Sequence, residues 1–151
     1  MLTRNLILAC ALGLTLPTVS GTAFAEDIDK RSAAPIKVVY HVSEDVQQAS
    51  RAIGNIRNQL KTDPTTKIVV VTYGAGIDFL LEDAENASGG KFAPTLEELK
   101  TAGVEFRVCN NTLLSRKIDP KTLVKQASIV PSGVVEVSKL QAREGFVYFK
   151  P

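Results

Sequence analysis

The residue of this 151-residue chain whose type and setting most readily carry chemistry is Cys109. The sequence holds two cysteines. Cys10 lies in an N-terminal stretch that reads as an export signal, so Cys109 is expected to stand alone in a compartment where thiols usually pair. An intramolecular disulfide is then impossible. An odd thiol of this kind is buried and inert, paired with another chain, or kept for its reactivity. Its setting favours the last. Val104, Phe106 and Val108 alternate with Glu105, Arg107 and Cys109, which puts the thiol on the face of its strand that carries charges. Asn110 and Asn111, both helix-capping types, follow at once. A thiol at a strand end that faces the start of the next helix feels the positive end of the helix dipole and unpaired N–H groups, which favour the thiolate. Arg107 adds a positive charge on the same face. The competing reading is that Cys109 is a small buried hydrophobe, as unpaired cysteines commonly are.

Other chemistries find less support. The single histidine, His41, falls at the end of the first expected strand, where it is a proton carrier at the crevice or a packed residue. One histidine and one mature cysteine cannot assemble the usual nitrogen and sulfur ligand set, so no metal is expected. The run Gly74-Ala75-Gly76-Ile77-Asp78-Phe79 places phenylalanine where a dinucleotide fingerprint needs its third glycine, and no Walker-type lysine loop is present. It reads as a tight strand-to-helix turn, and no cofactor is expected. The lone histidine and the absence of a nucleophile elbow argue against a serine hydrolase. Asn86-Ala87-Ser88 fits a glycosylation sequon, a match we attribute to chance.

These residues need a scaffold, and the apolar pattern supplies one: short apolar runs alternate with longer amphipathic stretches, as in a mostly parallel sheet with crossover helices. Strands are expected at 36–42, 67–74, 104–109, 128–131 and 146–149. The run Ile68-Val69-Val70-Val71-Thr72 is β-branched throughout and belongs inside the sheet. Ser43 is the candidate cap of a helix carrying Val46, Ala49, Ile53, Ile56 and Leu60, which Asp63-Pro64 stops. A short helix is expected over 76–84, a surface loop over 86–91, and a helix capped by Thr95 and Glu98 that ends at Gly103. Asn110 and Asn111 cap a helix over 112–118, which Asp119-Pro120 restarts through Ala127. Ser132 caps the last helix, carrying Val134, Val137 and Leu140 and closed by Gly145. In an open parallel sheet the ligand crevice lies beyond the carboxyl ends of the strands. That edge receives His41 and Ser43, Tyr73 and Gly74, Cys109 and Asn110, and Pro131, Ser132 and Gly133. The expected fold class is α/β, a doubly wound, flavodoxin-like three-layer sandwich in which every crossover is right-handed.

At the N-terminus, Arg4 precedes an apolar run from Leu6 to Leu16, Pro17 breaks it, and Ala23-Phe24-Ala25 offers a signal-peptidase site. Cleavage after Ala25 predicts a periplasmic or secreted protein. The run is too short for a membrane anchor, so no stable membrane insertion is expected after cleavage, and Cys10 comes too early to be a lipidated residue. Residues 26–35 read as a solvated lead-in, and 36–151 as one domain long enough to bury a core without disulfides. The formal charge of +2 falls by one with the leader, and both signs are scattered, so neither a nucleic-acid nor an anionic-membrane partner is suggested.

The segment Gly103-Val104-Glu105-Phe106-Arg107-Val108-Cys109-Asn110-Asn111-Thr112-Leu113, with Val70-Val71-Thr72-Tyr73-Gly74-Ala75-Gly76-Ile77 before it, resembles the DsrE/DsrF-like proteins. The valine-rich strand ending in cysteine, followed by Asn and Thr, is the more specific part. The resemblance implies a five-stranded parallel sheet flanked by helices, a homotrimer or homohexamer, and Cys109 as a persulfide-bearing position in sulfur relay. A sulfane-sulfur donor and an acceptor thiol, on a protein or a small molecule, would then be the partners. Arg107, Asn110, His41 and Tyr73 are the candidate substrate-binding residues, with Arg107 steering anionic donors. The export signal departs from the family's cytoplasmic relay members. The alternative is a non-enzymatic oligomeric module that binds a small anion and uses Cys109 for packing.

Overall fold

The computed structural model describes residues 34–151. The expected signal peptide over 1–25 and most of the expected lead-in over 26–35 lie outside the described residues. Five strands form one sheet: β1 (Lys37–Val42), β2 (Lys67–Thr72), β3 (Glu105–Cys109), β4 (Ala127–Val130) and β5 (Val147–Phe149). Their order is β4-β3-β2-β1-β5 and all neighbours are parallel. Among the described residues there are four helices, α1 (Val46–Thr62), α2 (Ala93–Thr101), α3 (Asn110–Arg116) and α4 (Gly133–Glu144), with 3-10 turns at Gly74–Leu80 and Pro120–Thr122. The sheet with helices on both faces is the α/β architecture the sequence pattern implies, and β2 lies inside it as its β-branched run requires.

The two faces are covered unequally. Val38, Tyr40, Val42, Ile68, Val70, Phe106 and Val108 point to one side, where Ala49, Ala52, Ile53 and Ile56 of α1, the Gly74–Leu80 turn, α2 and Leu113 of α3 close a large core. Each such aliphatic or aromatic side chain contributes about 1.5–3 kcal/mol by leaving water. On the opposite face, among the described residues, Val39, Val69 and Val71 cluster with Val137 and Leu140 of α4, with Phe146 at the margin. Strand order explains the division. The chain steps β1 to β2 to β3 to β4 in one direction with its connections on one face, then returns from β4 to β5 with α4 on the other, so all crossovers keep one hand. Within α4, Val134 and Val135 point outward, at 60% and 64% exposure.

Several boundaries differ from the sequence reading, each for a local reason. α1 is capped by Asp45, whose carboxylate accepts from the Gln48 N–H at 2.8 Å, while the Ser43 and Glu44 N–H groups donate to the Gln48 side chain instead. α2 begins at Ala93 with Pro94 in its first turn, so Thr95 and Glu98 lie inside the helix and both meet Arg57 of α1. The stretch expected as a helix over 76–84 winds as a 3-10 turn from Gly74. A Cβ on Gly76 would overlap the Val42 carbonyl, so the chain can pass this close to β1 only with glycine there. Asp119-Pro120 starts a single 3-10 turn and not a renewed helix, with Asp119 accepting from the Lys121 N–H. Asp63 and Gly145 end their helices as expected.

Candidate functional site at the end of β3

Cys109 is the last residue of β3, and α3 starts at the very next position. The cysteine is itself the N-cap, without a side-chain capping bond, so the asparagines sit inside the first turn and not ahead of it. This leaves the first N–H groups of α3 free to face the sulfur. The start of α4 arrives from the other side. Gly133 packs so closely that a Cβ there would stand 2.9 Å from Tyr73 Cδ1 and 3.2 Å from Cys109 Cβ. Only a residue without a side chain brings this N–H to the thiol.

Cys109 is buried, at 5% exposure. Burial works against its thiolate, but the Gly133 and Thr112 N–H groups, the Thr112 hydroxyl and the Asn111 N–H surround the sulfur as donors that favour its charged form. Together they outweigh burial and hold the pKa below the ordinary thiol value. Thr112 Oγ1 also accepts from the Gly74 N–H at 3.1 Å, which turns its own proton away from Gly74. Gly74 is fixed in turn, because Arg116 donates to its carbonyl at 2.9 Å and pairs with Asp78 at 2.7 Å. The donor set around the sulfur is therefore braced by β2's following turn and by the far end of α3.

Arg107 shares the face but not the task. Its guanidinium pairs with Glu136 of α4 and, at 2.7 Å, with Glu105, and only 18% of the side chain is exposed. These carboxylates hold its charge against the cost of burial. Among the described residues it pins α4 to β3, and the thiol's shift traces to uncharged N–H and O–H donors. Asn110 is half-buried at the first position of α3 and is not among those donors.

A cluster of polar aromatics lies beside the thiol. One residue beyond the Thr72–Val108 pair come Tyr73, just past the end of β2, and Cys109 on β3. His41 of β1 packs its ring on Tyr73, centroids 4.5 Å apart, and its Nδ1 lies 2.7 Å from the hydroxyl of Tyr148 on β5. Burial, then the Lys150 ammonium, push the His41 pKa below its ordinary value, while Glu44 opposes them. Tyr73 is pushed upward by burial, then by Tyr148, with Lys150 opposing and Cys109 adding to the rise. Thus Cys109, Tyr73 and His41 are brought together, and Tyr148 joins them. Sequence reading missed Tyr148; it placed Gly133 at this edge and Thr112 in the segment after the cysteine, but gave neither a role at the sulfur. Thr112 and Gly133 carry no signal beyond helix-start composition, and Tyr148 reaches the site only because β5 pairs with β1.

A cavity of about 450 Å³ lined by Leu81, Glu82, Asp83, Ile118, Asp119, Lys121 and Thr122 lies away from this cluster and holds no histidine or thiol. Among the described residues no group of three or more His, Cys, Asp and Glu side chains is placed to hold a metal ion, and no helix is long and apolar enough to cross a membrane.

Comparison with known proteins agrees with this architecture. The solved structure of a protein of unknown function, MTH1491 from Methanobacterium thermoautotrophicum, is similar at 32% identity and a TM-score of 0.69, over 77% of this chain and 99% of that one. The ychN protein from E.coli shares the fold at 12% identity and a TM-score of 0.61, over 76% of this chain and 99% of that one. No curated protein matches the chain. The model of the DsrE/DsrF-like family matches residues 37–150, from the first residue of β1 to just beyond β5, and the chain therefore belongs to the DsrE/DsrF-like family.

Proposed function

We propose that this chain is an exported sulfur carrier that holds sulfane sulfur as a persulfide on Cys109. The observation that supports it is the convergence of three N–H groups and one hydroxyl on a sulfur at the carboxyl edge of the sheet, which favours the nucleophilic thiolate. Membership of a family associated with sulfur relay points the same way. The thiolate attacks the outer sulfur of a donor R–S–SH, the donor's S–S bond breaks, Cys109–S–SH forms and R–S⁻ leaves. An acceptor thiol then collects the sulfur. Because Cys109 is only 5% exposed, loading requires α4's first turn or Tyr73 to move aside.

The proposal includes assembly as a homotrimer or homohexamer. Val134 and Val135 on α4, Ile129 on β4, and Val147 and Phe149 on β5 leave apolar surface in water at 42% to 64% exposure, the kind of area a second copy would cover. Export after cleavage following Ala25 rests on the leader's sequence alone.

The test is intact mass after incubation with polysulfide. The wild-type chain gains one sulfur atom and Cys109→Ser does not. The burial of Cys109 favours a second reading, in which the thiol only packs and the strand-end crevice or a subunit junction holds a small anion. That reading requires an unchanged mass and slow labelling of Cys109 by a thiol reagent in the folded protein; rapid labelling rejects it.

A further inference from the structure

The geometry points to His41 and Tyr148 as a proton relay that serves the sulfur hand-off from Cys109, with the phenol as its outer end and the imidazole as its buried base. This rests on the carrier reading above. His41 is 7% exposed, and its Nε2 is buried with no hydrogen-bond partner among the described residues. A sealed polar atom of this kind calls for a reason. Its effect is to leave Nδ1 as the ring's single route to other groups, and Nδ1 meets Tyr148 Oη at 2.7 Å. Tyr148 is 40% exposed, so a buried base is joined to the surface through one phenol. The ring of Tyr73 continues the cluster toward the thiol: it packs on His41 at 4.5 Å and lies against Gly133, which also touches Cys109.

The groups around the imidazole suit a base that stays neutral until it is used. After β2 it meets Tyr73, from β5 Tyr148 and just beyond it Lys150, and after β1 Glu44, which pairs with Lys150 at 2.8 Å. Cys109 lies beyond Tyr73. From β3 and α4, Arg107 and Glu136 face the same side of the sheet, paired with each other. No carboxylate bonds to the ring among the described residues, so no anion traps the proton once it has been taken.

The step balances without an oxidant. An acceptor R–SH passes its proton to Tyr148 as Tyr148 passes its own to His41 Nδ1. The thiolate R–S⁻ attacks the outer sulfur of Cys109–S–SH, the S–S bond breaks, R–S–SH leaves, and Cys109 returns to the thiolate held by Gly133, Thr112 and Asn111. His41 then returns its proton to solvent through Tyr148. Loading from polysulfide does not need the pair, because the Cys109 thiolate attacks unaided and the shortened polysulfide leaves as a weakly basic anion that requires no proton.

The experiment separates loading from hand-off. Protein loaded with polysulfide is freed of excess reagent and mixed with 2-mercaptoethanol between pH 6 and 9, and loss of one sulfur is followed by intact mass. Tyr148→Phe, which removes one oxygen, is expected to load at the wild-type rate but to release sulfur roughly a hundredfold more slowly near neutral pH, the lower end of what positioned acid–base groups supply. The deficit should shrink as rising pH ionises the acceptor itself. His41→Gln should show the same pH signature, and should that variant not fold, Tyr148→Phe decides. Release by folded Tyr148→Phe at the wild-type rate across the range overturns the relay and leaves the carrier reading intact. Equal slowing of loading and release with no recovery at high pH assigns a structural role and also overturns it. Failure of the wild type to load overturns the carrier reading, and the relay with it.

Discussion

Gly133→Ala tests whether the donors around Cys109 control its reactivity. The added Cβ would stand 2.9 Å from Tyr73 Cδ1, 3.2 Å from Cys109 Cβ and 3.3 Å from Tyr73 Cβ. Carbon atoms prefer roughly 3.5–4.0 Å, so the first turn of α4 or the Tyr73 ring must retreat by several tenths of an ångström. Tyr73 is hemmed in by His41, which makes α4 the element that gives way. The Gly133 N–H then withdraws from the sulfur, and it is the first of the groups opposing burial there. A hydrogen bond to a charged group contributes about 1.5–3 kcal/mol, and one pKa unit corresponds to about 1.4 kcal/mol, so the thiol should titrate about one to two units higher. Overpacking costs about 1–3 kcal/mol, offset by up to about 1 kcal/mol from alanine's better helix propensity, so the variant should melt a few degrees lower but still fold. The assay is the rate of iodoacetamide alkylation against pH. Its midpoint, not its plateau, carries the answer, because a more basic thiolate is also the better nucleophile. A folded Gly133→Ala protein whose midpoint stays within about 0.3 unit of wild type would refute the argument that these donors set the thiol's pKa.

Glu136→Gln should lower stability by about 1–3 kcal/mol by weakening the bond to the largely buried Arg107, read as a drop in melting temperature, while the alkylation midpoint of Cys109 stays put. A moved midpoint would mean that Arg107 acts on the sulfur after all. Leu140→Ala should cost about 2–5 kcal/mol and also alter Cys109 labelling, since Leu140 is one of five buried residues holding α4 to its face. Leu96→Ala, in the larger core, should cost a similar amount and leave labelling unchanged. Because the His41 pKa is lowered on folding, the unfolded chain takes up that proton first as pH falls below about 6.5. Stability should therefore be full above that value and decline through the lower folded pKa, a slope in melting temperature against pH that His41→Gln abolishes. Asp63, lowered by its bonds to Thr65 and Thr66, contributes a further loss only at more acid pH, below the usual carboxylate range.

How much of this was readable beforehand follows from the range of the forces involved. The strands, their parallel arrangement, the interior place of β2 and the strand-end position of Cys109 are local matters of apolar period, β-branching and turn chemistry, and these act over a few residues. So does the face on which the thiol points, since alternation along Val104 to Cys109 decides it. The helix starts were misplaced where a neighbour intervened: Gln48 takes the Ser43 and Glu44 N–H groups, and Arg57 takes Thr95 and Glu98.

The groups that prime the sulfur lie at a distance along the chain. Arg107 sits two residues from Cys109 and looks like its activator, but α4 brings Glu136 to claim the guanidinium. The same helix delivers Gly133 to the thiol, and β5 delivers Tyr148 to His41, 107 positions away. Local pattern decides which side chains emerge at the edge of the sheet. Which of them meet there depends on the order β4-β3-β2-β1-β5, set by burial of apolar faces summed over the whole domain, and no window of sequence contains that sum.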